Sequence, residues 1–174
     1  MISPVYFQNG SDPNFYIYPM EWLNTGLAPL KDLLAFLYKK SKTNDVNKKQ
    51  IIIELRDNLN VFKNGFLNQS PYDPMIDLLS RDAIQSAIRE NFSFKKLRAG
   101  TIHISIIYDE RNKKYAGWTA EKLIDKIDEK IVELKNIKKM NHDSVKEVRN
   151  NISLMMSNLY FRMKLLADFI RSEK

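Results

Sequence analysis

The chain has no cysteine, which rules out disulfides, thiolate zinc sites and cysteine nucleophiles together. It has five glycines, none in the GxGxxG or GxxxxGK spacing that cradles phosphates, and no serine-centred nucleophile elbow. Its two histidines, His103 and His142, are far apart in sequence and sit among carboxylates without ligand spacing. That is a poor metal set, so no metal and no cofactor is expected. No window approaches the run of about 20 apolar residues that spans a bilayer. The nearest, from Leu27 to Tyr38, carries Lys31 and Asp32. The opening residues MISPVYFQNGSDPNFY lack a basic region followed by an apolar run, so no signal peptide and a cytoplasmic location are expected.

What remains is a polypeptide of 174 residues, 44% hydrophobic and 28% charged, with the balance of a folded protein. That length suits one domain with a real core. The net charge is +7. Lys95, Lys96, Arg98, Arg111, Lys113 and Lys114 oppose few acids, and Lys135, Lys138, Lys139, Lys146 and Arg149 form a second basic cluster. Such patches attract phosphate backbones, although lysine abundance also follows from an AT-rich genome.

Residues 1–19 hold three prolines and the rings of Tyr6, Phe7, Phe15, Tyr16 and Tyr18, and read as an extended aromatic arm docked on something. A helix is predicted from Leu27 to Lys40 with the stripe Leu30, Leu33, Leu34 and Leu37. A second follows, with Asn47 and Gln50 as a capping box, the seam Ile52, Leu55, Leu59, Phe62 and Phe66, and Gly65 as its C-terminal cap. A third is expected from an Asp73 cap to Glu90, with Ile76, Leu79, Ala83 and Ala87 facing inward. The alternation at Ile102, Ile104 and Ile106 admits either a short β-hairpin near 102–116 or a packed irregular loop. Thr119 caps a fourth helix with the stripe Ala120, Ile124, Ile127, Ile131 and Leu134.

Ser144 and Glu147 form another capping box and open the last predicted helix, Ser144–Arg171, about 40 Å long. Val145, Val148, Ile152, Met155, Met156, Leu159, Met163, Leu166 and Ile170 make one broad apolar face. Leu154, Phe161 and Leu165 fall on the opposite side. A helix with apolar residues on both sides needs two partners, and exposing these three would leave a patch that monomeric proteins avoid. Leu154, Phe161 and Leu165 are therefore the candidate interface, covered by the aromatic arm and first helix or by another chain.

The segment Glu54-Leu-Arg-Asp-Asn-Leu59 matches Glu147-Val-Arg-Asn-Asn-Ile152. Arg56 and Arg149 would stand at the edges of apolar stripes, where, with Lys95, Lys96 and Arg98, they are the candidate contacts to an anion or RNA. Arg56-Asp57-Asn58 and Arg149-Asn150-Asn151 resemble the start of the Arg–polar–His motif of HEPN-superfamily helical bundles, which cut RNA with that pair. No histidine follows either arginine: the positions hold Val61 or Phe62 and Leu154 or Met155. The resemblance thus implies a helical fold without the acid/base. More broadly, KKQIIIELRDNL, AIRENFSFKKL and YAGWTAEKLIDKI resemble an uncharacterised class of bacterial all-helical proteins.

Together these features predict an all-α single domain, an up-and-down bundle of four to five helices. The expected function is a non-enzymatic interaction or assembly module, a homo-oligomer or the partner of another protein. A nucleic-acid-associated, HEPN-like toxin or defence component is the alternative.

Overall fold

Leucines at steps of three and four bury one side of the first helix, and the same logic repeats through the chain. In a computed structural model, which describes residues 27–172, six α-helices and three short 3-10 turns account for the ordered backbone, with no strand among the described residues. The helices are α1 (Leu27–Lys40), α2 (Val46–Leu67), α3 (Tyr72–Leu78), α4 (Asp82–Arg89), α5 (Ala120–Met140) and α6 (Ile152–Arg171). The chain is all-helical, as its periodicity predicts. The aromatic arm at 1–19 lies outside the described residues.

The stripes land where the spacing places them. Leu30, Leu33 and Leu37 of α1, Ile52, Leu59 and Phe62 of α2, and Ile124, Ile131 and Leu134 of α5 are all buried. Thr119 caps α5 by accepting the Lys122 backbone N–H at 3.3 Å. The cap of α2 falls two residues before the predicted Asn47: Asp45 accepts the Lys48 N–H at 3.0 Å, while Asn47 donates to Glu90 Oε2 at 2.8 Å. Gly65 lies inside α2 rather than at its end, and a Cβ there would come within 2.5 Å of the Met75 sulfur, so the glycine lets α3 approach.

The predicted third helix is two helices. α2 breaks it from the side: Asn58, 3% exposed, donates to the Ser80 carbonyl at 2.7 Å and accepts the Ser80 N–H at 2.8 Å. One turn earlier Glu54 accepts from the Ser80 hydroxyl at 2.7 Å, from Ala83 N at 2.8 Å and from Ile84 N at 3.2 Å. Two side chains one helical turn apart thus satisfy the polar groups freed between α3 and α4. Arg81 then clamps the corner to α5 through a bidentate pair with Asp128, both contacts at 2.6 Å.

α6 begins at Ile152, eight residues after the predicted Ser144. Asp73 of α3 accepts from the Ser144 hydroxyl at 2.9 Å and from the Val145 N–H at 2.7 Å, and His142 and Asp143 adopt left-handed φ of 56° and 58°. Ser144 is thereby held in the connection, and Asn151 caps α6 by accepting the Leu154 N–H at 2.9 Å. Removing the Asp73 acceptor leaves Val145 N–H unpaired. Asp73→Ala is expected to lower unfolding free energy by about 1–2 kcal/mol in urea titration, whereas Glu147→Ala, which removes half of the predicted capping box, is expected to change it little.

The 102–116 segment is not a hairpin. A single pair of backbone hydrogen bonds joins Ile102 to Trp118 and Gly117, both at 2.8 Å, and two 3-10 turns, Ile104–Ile106 and Glu110–Tyr115, fill the interval. His103 Nδ1 accepts the Ser105 N–H at 3.2 Å and Asp109 the Arg111 N–H at 3.1 Å, side-chain caps that favour turns over a ladder.

Candidate functional site

The second side of α6 is closed by this irregular segment, and its polar residues explain how. Arg111 Nη1 donates to Ser157 Oγ at 2.5 Å, while its guanidinium stacks over the Phe161 ring at 4.3 Å and pairs with Asp109 at 2.7 Å. Asn112, 4% exposed, donates to the Phe161 carbonyl at 2.8 Å, and Arg162 Nε donates to the Tyr115 hydroxyl at 2.5 Å. α6 is accordingly buried on most of its circumference and packs on α1, α2 and α5 as well.

The three residues of the predicted surface differ in exposure within the chain. Leu165 is 3% exposed and Phe161 is half-buried beside Arg111, so neither stands on a free face. Leu154, in the first turn of α6, is 53% exposed. The three still share one stripe of α6, since all lie between Ile152 and Arg171; what differs along it is cover, the first turn being open at Leu154 and the later turns packed at Leu165.

The candidate anion contacts are not gathered either. Arg56 pairs with its neighbour Asp57 at 2.8 Å, and Arg149 is exposed on the irregular connection before α6. The sequence match between their segments is therefore not a structural repeat: Glu54 and Asn58 hold the α3–α4 corner, whereas Glu147 is exposed and Asn151 is a helix cap. Lys96 pairs with Asp45 at 3.3 Å, Lys113 with Glu110 at 2.6 Å, and Arg98 stacks over Phe169 at 5.4 Å. Lys95 and Lys114 are exposed. His103 and His142 are exposed, and among the described residues no group of three or more His, Cys, Asp or Glu is placed to hold a metal ion. No helix among these residues is long and apolar enough to cross a membrane.

Two concave regions stand out instead. A groove of about 310 Å³ runs between α2 and α3, with Gly65 and Met75 along it, Asn60, Asn64 and Asn68 on one side and Leu78 on the other. A smaller cleft of about 110 Å³ lies between α5 and α6 and is lined by Lys130, Glu133, Leu134, Met155, Asn158 and Arg162. Its charges are set by local contacts. The hydrogen bond to Glu133 holds the Lys130 ammonium above its ordinary range, against the opposing effect of burial. Tyr160, packed edge-on against Phe62 with ring centroids 5.6 Å apart, has its hydroxyl pushed up to about 12 by burial, so it stays neutral at physiological pH.

Comparison with protein-family models, with characterised proteins and with solved structures found no match.

Sequence reading missed Arg162, although a signal was there. It stands three residues after Leu159 and four before Leu166, on the apolar side of its helix, where a charge needs a partner.

Proposed function

We propose that this chain is a cytoplasmic, non-enzymatic assembly module built as an up-and-down helical bundle, and that it binds a second copy or a partner protein through one end. The observation behind this reading is the distribution of exposed apolar side chains. Contacts from Asp73 to Ser144 and Val145 and from Asp77 to Lys138 bring together α3, the end of α5 and the approach to α6, while Met75 packs against Gly65 near the end of α2. On these joined elements Leu67 is 57% exposed, Leu78 67%, Met140 81% and Leu154 53%, while Tyr38, Val46, Ile88, Ile104 and Tyr108 are exposed elsewhere on the described chain. Large apolar residues left in water on adjoining elements offer a surface that a second chain could cover. α6 contributes to this end by its first turn, not by the stripe through Phe161 and Leu165.

Sedimentation velocity tests self-assembly, the simplest form of the reading. Wild-type protein is expected to associate at micromolar concentration. The double variant Leu78→Lys/Leu154→Asp is expected to weaken association by about 2 kcal/mol or more while keeping its helical content. A wild-type monomer over the accessible concentration range sinks self-assembly. The nucleic-acid alternative has less geometry behind it, because Arg56, Lys96 and Lys113 are each paired with an acid. A steep salt-dependent mobility shift with single-stranded RNA would reverse that preference.

A further inference from the structure

Burying a charge is costly unless a partner or a set of hydrogen bonds compensates it. Among the described residues, three of the four buried charged side chains follow that rule. Glu54 accepts from two backbone N–H groups and a hydroxyl, Lys138 pairs with Asp77, and Asp168 pairs with both Lys164 and Arg171. Arg162 does not. It is 7% exposed, and within the described chain it forms no ion pair. Its Nε is taken by the Tyr115 hydroxyl, while Nη1 and Nη2 have no hydrogen-bond partner among the described residues.

Arg162 lines the α5/α6 cleft, and the other polar walls suit an anion. Asn158 offers an amide donor, and Lys130 brings a second positive charge, at present tied to Glu133 and 3.6 Å from Glu129. Glu133 and Glu129 both stand beside Lys130, so the positive charge left without an acid in the cleft is that of Arg162. Leu134 and Met155 complete an apolar wall that strengthens electrostatic contacts by excluding water. At about 110 Å³ the space exceeds the roughly 30 Å³ share of a water molecule, and suits one compact ion rather than a whole nucleotide.

We propose that this cleft binds a phosphate-class oxyanion, gripped by the planar Nη1 and Nη2 groups of Arg162 and by the Asn158 amide, with Lys130 turning from Glu133 to the ligand. Arginine suits this role because its fork presents two parallel donors to two oxygens, which a lysine cannot do. The oxyanion is either free phosphate or the terminal phosphate of a larger molecule whose remainder stays outside the cleft. The site and the proposed assembly end use different side chains, so each can fail without the other.

Titration calorimetry of the full chain with inorganic phosphate, at constant ionic strength set with chloride, tests the proposal alongside the NMR signal of Arg162 Nε–H. Saturable binding is expected, with a dissociation constant of about a millimolar or tighter, together with a shift of that signal. Arg162→Lys keeps the charge but loses the fork, and is expected to weaken binding about tenfold. Glu133→Gln removes the competing carboxylate and releases Lys130, and is expected to tighten binding about threefold. A structural ion-pair role for Glu133 would not produce that gain. If Arg162→Lys fails to fold, Asn158→Leu takes its place, with a loss of about fivefold expected. A nucleoside monophosphate binding more tightly than phosphate identifies a phosphate-bearing larger ligand, and one binding no better identifies the free ion. The absence of saturable heat or of an Arg162 shift in wild type, or unchanged affinity in Glu133→Gln, overturns the proposal.

Discussion

Replacing Leu165 with aspartate is expected to destabilise the fold strongly rather than dissociate an assembly. Leu165 is 3% exposed, and α6 around it is buried at Leu166, Ala167, Asp168, Phe169 and Ile170. The substitution removes a side chain worth several kcal/mol of packing and brings a second carboxylate close in sequence to Asp168, which already engages Lys164 and Arg171. A loss above about 4 kcal/mol follows, a large share of the 5–15 kcal/mol typical of a domain. Urea titration should show the unfolding transition moved to much lower denaturant, with the lost free energy read from the shift in midpoint. Leu154→Asp is the contrasting case. Leu154 is 53% exposed and occupies the third position of α6, where a carboxylate favours the helix dipole. Its effect on stability should stay within about 0.5 kcal/mol. A Leu165→Asp protein of unchanged stability with altered sedimentation would restore the two-faced interface read from the sequence.

Glu54→Ala should cost nearly as much. The carboxylate accepts three hydrogen bonds at the start of α4, two of them from backbone N–H groups that have no intrahelical partner. Alanine leaves Ala83 and Ile84 N–H unpaired near a buried corner, and each orphan costs about 1–3 kcal/mol. A total loss of about 3 kcal/mol is expected in urea titration. Asn58→Ala removes the neighbouring two-bond clasp on Ser80 and should cost about 2 kcal/mol. Both side chains hold one corner, so the double variant should lose less than the sum. Additive losses would mean that the corner is not a single unit.

Glu54 also shows why the polar architecture was hard to read. In sequence it belongs to an ordinary amphipathic helix and matches Glu147, yet one carboxylate holds a helix start on a neighbouring element and the other is exposed. Nothing local distinguishes them, because the difference lies in which backbone donors arrive from residues about 30 positions away. Arg111, Asn112 and Tyr115 are a similar case. Their segment alternates weakly enough to suggest a hairpin, but its side chains close on α6 at Ser157, Phe161 and Arg162.

The sequence by itself determined the helical class, the inward faces of α1, α2 and α5, and the Thr119 cap, because these depend on the 3.6-residue period and on hydrogen bonds spanning three residues. Only the tertiary structure decided where α3 ends, where α6 begins and which surface remains free. The break at Ser80 comes from Asn58 and Glu54, and the late start of α6 from Asp73. The burial of Leu165 belongs with them, since the sides of α6 are distinguished by what packs on each. A helix carries its periodicity in its own residues, whereas the satisfaction of a buried polar group and the covering of a second face depend on atoms distant in the chain.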